Sequence, residues 1–218
     1  MVGAKKGRAG CGCLLFVLIV CMVLAGVLIH PFSLRLVAGG FRYADMVMPC
    51  DAIFVPRFTE DKNGEVYTEA FREYWAGNGK ALWVEDDRIF GFTMKDIVER
   101  MAKKRGIKEG TVHALEVEGD DVAKAGLVRQ AFAKQGFKKI LLVVPDYASR
   151  RYHLLYGPRE SGDPMLFLVK PVGVSYFKAD KWWRTDLSRA VMGRELYRIC
   201  LLYVDRFKYG RKGKDGKE

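Results

Sequence analysis

The sequence predicts an α/β chain: a three-layer α/β/α, Rossmann-like domain with a mostly parallel sheet, preceded by one N-terminal transmembrane helix. Three observations predict it. Apolar runs of four to seven residues alternate with longer segments at helical spacing. Those runs are apolar at successive positions, as strands buried on both faces of a parallel sheet are. Ahead of them, Cys11–Ile29 (CGCLLFVLIVCMVLAGVLI) carries no charge and no proline.

That first stretch is long enough, at about 1.5 Å per residue, to cross a hydrocarbon core roughly 30 Å thick. Its Leu, Ile, Val and Phe residues favour insertion by about 4–7 kcal/mol. Lys5, Lys6 and Arg8 precede it, whereas Arg35 and Arg42 follow with Asp45 between them and the body. The positive-inside tendency then leaves the N-terminus in the cytoplasm and the rest outside it. The alternative is a cleaved secretory signal, but the apolar run exceeds the usual core of roughly 7–15 residues. The organisation read from the chain is a cytoplasmic basic tail at 1–10, a transmembrane helix at 11–29 and a juxtamembrane linker at 30–49. A Rossmann-like extracytoplasmic domain at 50–208 and a basic disordered tail at 209–218 follow.

Each later element has a local reason. Leu34–Val37 suggests a short helix inside the linker. Asp51–Val55 is an apolar strand stopped by Pro56. Gly64–Gly77 has helical spacing through Val66, Ala70 and Tyr74. Ala81–Val84 is a second strand. Thr93 caps a helix reaching about Arg105, with Gly106 past its end. Thr111–Val117 is a third strand, and Asp120 or Asp121 caps a helix to Gln135, closed by Gly136. Lys139–Val144 is the most apolar strand, ended by Pro145. Ser149–Tyr156 reads as a helix, Met165–Val169 as a fifth strand, and Asp186–Phe207 as a long final helix.

The chain carries a net charge of +11. Such a balance suits a domain near anionic lipid head groups or anionic envelope polymers. No nucleic-acid-binding motif accompanies it. Cys50 and Cys200 are the cysteines of the domain and could pair outside the cytosol. No GxSxG, HExxH, GxGxxG or Walker loop is present, so the motifs name no reaction and no cofactor.

Ligands of parallel α/β sheets bind beyond the strands' carboxyl ends, where strand order reverses. With an order 3-2-1-4-5, that point lies between the first and fourth strands. The candidates there are Arg57 after the first strand, and Asp146, Arg150 and Arg151 after the fourth. Ser149 could cap the helix that carries the two arginines. Cations in a first helical turn oppose the macrodipole, and a bound anion would compensate. The competing readings are a solvated pair or a salt bridge to a neighbouring acid such as Asp146. Glu85, Asp86, Asp87, Glu118, Asp120 and Asp121 gather at neighbouring strand ends. Capping and solvated loop charge explain them better than a metal does. Trp182 and Trp183 either pack the last helix or stack on a ring or membrane interface. His30, His113 and His153 read as structural.

The order of an N-terminal anchor, D-A-I-F-V, I-L-L-V-V-P-D-Y-A-S-R-R, W-W-R-T and a last helix with Glu195 and Tyr197 resembles the YdcF/SanA/ElyC-like envelope family. The resemblance spans about Cys50 to Phe207. It implies a Rossmann-like fold and a single-pass inner-membrane protein of cell-envelope biogenesis, concerned with peptidoglycan or a lipid carrier. The implied partners are the inner membrane and a cell-wall precursor or anionic lipid. The alternative is a non-catalytic degenerate relative acting as a membrane-anchored interaction or scaffold protein. The sequence departs from the family pattern at Pro56-Arg57 (a glycine pair), Glu85-Asp86-Asp87 (Ser-Gly-Gly), Gly119-Asp120-Asp121 (Asn-Thr) and Ala148 (histidine). Of the retained positions, Asp146, Arg150 and Arg151 are the ones the resemblance points to.

Overall fold

The computed structural model describes residues 8–89, 91–157 and 165–215. The body is an α/β domain around a five-stranded parallel sheet. Its strands are β1 (Ala52–Val55), β2 (Leu82–Asp86), β5 (Val112–Glu116), β6 (Lys139–Pro145) and β7 (Leu166–Val172), in the order β5-β2-β1-β6-β7. In chain order of the five that is 3-2-1-4-5, so the reversal falls between β1 and β6. Register runs through Ile53↔Leu82, Ile53↔Leu141, Leu82↔Val112 and Leu142↔Val169.

The central strands are buried on both faces, as their unbroken apolar runs require. Ala52, Ile53, Ile140, Leu141, Leu142 and Val143 expose 0% of their surface. The connecting helices are α3 (Glu65–Trp75), α4 (Met94–Lys103), α5 (Asp121–Lys134) and α6 (Ser149–Tyr156). Right-handed crossovers place α3 and α4 on one face and α5 and α6 on the other. Phe132 of α5 meets Phe54, Trp83 and Phe167 across the second interface. At the amino end of the central strands β1 and β2, Gly79 lies against Ile53. A β-carbon there would stand 2.4 Å from Ile53 Cγ1.

Caps set several boundaries. Thr93 and Asp96 form a reciprocal capping box on α4. Asp120, not Asp121, caps α5 by accepting from Ala123 N. The start of α3 is capped from outside, since Asp61 accepts from Glu65 N and Val66 N at 2.9 Å each. Ser149 does not cap α6. Its buried hydroxyl accepts from Tyr43 N at 2.8 Å and donates to the Asp146 carbonyl at 2.7 Å. A two-residue hairpin, β3 (Arg88–Ile89) and β4 (Phe92–Thr93), lies between β2 and α4. α7 (Asp186–Asp215) continues past Phe207 into the segment expected to be disordered. Residues 1–7 and 216–218 of the expected tails lie outside the described residues.

The N-terminal part differs from a free linker. α1 (Arg8–Ile29) and α2 (Pro31–Gly40) meet at a sharp bend, and His30 Nδ1 accepts from Phe32 N at the start of α2. Among the described residues no single helix is long and apolar enough to cross a membrane. One bent pair, Leu14–Val27 and Pro31–Gly40 at 60°, passes by length and composition. The single spanning helix expected at 11–29 falls within α1, and among the described residues it is α1 and α2 together, across the bend, that reach spanning length and composition. After α2 the chain runs along β7. Asp45 N donates to Val169 O at 3.0 Å, and Val169 N donates to the Asp45 carboxylate at 2.8 Å. This covers an otherwise open sheet edge.

Candidate functional site

The carboxyl ends of β1, β2 and β5 open into a cleft of about 710 Å³. β1 delivers Arg57–Glu60, β2 delivers Glu85–Asp87, and β5 delivers Glu116–Gly119. Lys124 of α5 and Arg194 and Arg198 of α7 close the sides. Six carboxylates, from Glu60, Glu85, Asp86, Asp87, Glu116 and Glu118, face four cations.

Most of these charges are already matched. Glu85, 9% exposed, accepts from Arg57 N at 3.1 Å and from Lys124 Nζ at 2.6 Å. Arg57 pairs with Asp87, and Arg194 pairs with Glu60. Asp86 accepts from Lys95 N at 3.0 Å. Arg198 is the cleft cation with no salt bridge among the described residues. Two buried polar atoms below the rim, Arg57 Nε and the Tyr67 hydroxyl, have no hydrogen-bond partner among the described residues. Burial, with the Asp61 and Glu85 charges beside it, raises the Tyr67 pKa above its ordinary value. Among the described residues no three His, Cys, Asp or Glu side chains are placed to share a metal ion.

The four residues singled out in the sequence divide. Arg57 lines the main cleft, and Arg57 and Arg151 both line a cavity of about 80 Å³ beside it. Arg151, however, is 1% exposed and held internally. Its Nε donates to Glu195 and its terminal nitrogen to Asp121 at 2.9 Å. Its guanidinium lies 4.7 Å from the Tyr152 ring. The compensation that the macrodipole demands thus comes from two carboxylates of the chain itself. Arg150 points elsewhere: its N–H donates to Phe41 O at 3.0 Å and its guanidinium lies 6.0 Å over Tyr43. Asp146 lines a separate pocket of about 250 Å³ with Arg35, Arg42, Tyr147 and Phe177. Burial raises its pKa, against the Tyr147 N–H bond and the Arg42 charge.

The sequence reading missed Lys124, Arg194, Arg198 and Glu60. Arg194 and Arg198 stand four apart in a helix and so share one face, which is the signal that could have found them. Trp182 is tied to α2, with Nε1 donating to Leu34 O at 2.9 Å. His113 stacks on Trp83 and His153 on Tyr43. Cys50 and Cys200 are free thiols, the first buried and the second exposed.

No family model matches the chain, and no curated protein matches it. Among solved structures, it is similar to the crystal structure of a protein from the universal stress protein family from Burkholderia pseudomallei. The likeness covers 56% of this chain and 96% of that one, at 16% identity and a TM-score of 0.37. A likeness that slight carries no argument about function, and the architecture above rests on the chain's own strand order and register.

Proposed function

We propose that this chain is a single-pass inner-membrane protein whose extracytoplasmic, YdcF/ElyC-like domain serves cell-envelope biogenesis. It binds an anionic or phosphorylated small molecule at the carboxyl ends of the strands. The observation that supports this best is the cleft at the carboxyl ends of β1, β2 and β5, lined by the cations Arg57, Lys124, Arg194 and Arg198. Among the described residues Arg198 has no salt bridge and the buried Arg57 Nε has no hydrogen-bond partner. The Arg198 guanidinium is an N–H donor suited to a phosphate oxygen. The other cations would exchange a cleft carboxylate for the ligand, which favours a multiply charged anion over a single carboxylate. The anchor reading draws on α1, whose side chains from Leu14 to Val27 are all exposed and apolar or small.

The test is thermal unfolding of the full chain in detergent or nanodiscs with nucleotides, sugar phosphates and a polyprenyl phosphate. A ligand at a hundred times its dissociation constant adds about 2.7 kcal/mol. That gain should shrink in Arg198→Ala and Arg57→Ala. No stabilisation by any anion would overturn the reading. The second reading, a non-catalytic membrane-anchored interaction or scaffold protein, draws on the same ion pairs. A cleft whose cations are mostly neutralised from within needs no ligand to be stable.

A further inference from the structure

We propose that α2 and the turn spanning residues 178–184 form an interfacial platform that lies on an anionic bilayer surface, so that the carboxyl edge of the sheet faces the lipid. The proposal rests on the membrane-anchor reading above and adds how the body is oriented.

Four observations carry it. First, α2 follows α1 with only His30 between them and turns by 60°. If α1 stood along the bilayer normal, α2 would lie within about 30° of the plane. Second, α2 presents Phe32 (63% exposed), Leu36 (61%) and Val37 (45%) outward, while Ala38 and the following Phe41 are buried against the body. An apolar face continuous with an apolar helix suits the interface of the bilayer that helix enters. Third, the platform is tied to the body. Trp182 donates to Leu34 O and Arg35 Nε donates to Asp180 O at 3.3 Å. Trp183 is beside them, the residue type enriched at membrane interfaces. Fourth, Arg35 and Arg42 line the pocket of Asp146, the Lys178 charge acts on Asp146 and Lys181 pairs with Asp180, an excess of positive charge complementary to anionic head groups.

The direction of the sheet follows from where α2 ends. Phe41 O accepts from Arg150 N, and Tyr43 N donates to Ser149. Both partners begin α6, just past the carboxyl end of β6. The cleft of Arg57, Lys124 and Arg198 opens on that same edge, and Trp75 and Gly79 lie at the other.

Quenching by lipids brominated on their acyl chains tests this in the full chain. The vesicles are phosphatidylcholine alone or with phosphatidylglycerol. A Trp75→Phe/Trp83→Phe variant keeps the platform tryptophans, and a Trp182→Phe/Trp183→Phe variant keeps the distant pair. At least twofold quenching is expected in the first, little in the second, and more with phosphatidylglycerol than without. Phe32→Glu/Leu36→Glu, made in the first background, should lose most of the quenching and serves if the tryptophan-depleted platform does not fold. Leu18→Trp reports the anchor separately. Quenching at Leu18→Trp with none at Trp182 and Trp183 would overturn the platform while leaving the anchor. No quenching at Leu18→Trp would overturn both. Equal quenching in both vesicle types would overturn the anionic surface. Crosslinking of two chains through α2 in place of quenching would make the occupant a second copy and overturn the proposal.

Discussion

Arg151 on α6 donates through Nε to Glu195 on α7, and both residues are almost closed to solvent, at 1% and 2% exposure. Asp121, at the start of α5, holds the other end of the guanidinium. One cation thus joins three helices beneath the carboxyl edge. Removing one partner of a buried pair leaves an uncompensated charge. Arg151→Ala should therefore lose about 3–5 kcal/mol of stability in urea unfolding. Arg151→Met with Glu195→Leu should lose less than the single change. A loss under about 1 kcal/mol in Arg151→Ala would show that the pair is not an internal support.

Two aspartates should give stability slopes of opposite sign against pH. Asp51 accepts from Lys138 N at 2.7 Å and Lys139 N at 2.9 Å, and these bonds hold its pKa below the ordinary 3.8. Its contribution is present above that ordinary value and is lost as pH falls through the lower folded one. Asp146 is the reverse, since burial raises its pKa. Its contribution is full below the ordinary value and is lost as pH rises through the folded one. Thermal melts should show Asp51→Asn flattening the acid limb. Asp146→Asn should raise the Tm at pH 7 and give no gain near pH 3. The same sign for both variants at pH 7 would contradict the assignment.

Glycine substitutions should separate a close approach from a free position. A β-carbon at Gly79 would meet Ile53 Cγ1 at 2.4 Å and Cδ1 at 2.9 Å, whereas one at Gly126 in α5 meets nothing within 4 Å. Gly79→Ala should cost about 1–3 kcal/mol through overpacking. Gly126→Ala should gain roughly 0.5–1 kcal/mol from helix propensity. Chemical denaturation of the two variants side by side gives the comparison, and equal midpoints would refute it.

The thiols should react very unequally. Burial, and then the Asp51 charge, push the Cys50 thiol up to about 11. Cys200 is exposed. Maleimide labelling at pH 8, followed by peptide mass spectrometry, should modify Cys200 on the order of a hundredfold faster. A Cys50–Cys200 disulfide in the purified chain would contradict both thiol environments.

What could be read from sequence was what local physics decides. Ser149–Tyr156 was legible as a helix to its ends, and the Gly136 stop and Thr93 cap were legible from capping chemistry. The buried strands were legible because a parallel sheet covered on both faces leaves no room for polar alternation. The site was only partly legible. Arg150 and Arg151 stand next to each other in the chain, but one is buried and the other is outside. What separates them is Asp121 and Glu195, thirty and forty-four residues away. The Asp146 loop looked like part of one binding edge, yet α2 takes it into a separate pocket. Hairpin β3–β4 was missed because two-residue strands carry no periodicity.

Asp45 and Tyr43 have a mechanical consequence. The polypeptide that leaves α2 is not a slack cord. It is clipped to Val169 at one point and to Ser149 at another before it reaches β1. A pull on the N-terminal helix is therefore met by hydrogen bonds loaded along the outer strand, and the body swivels with α2 as one piece.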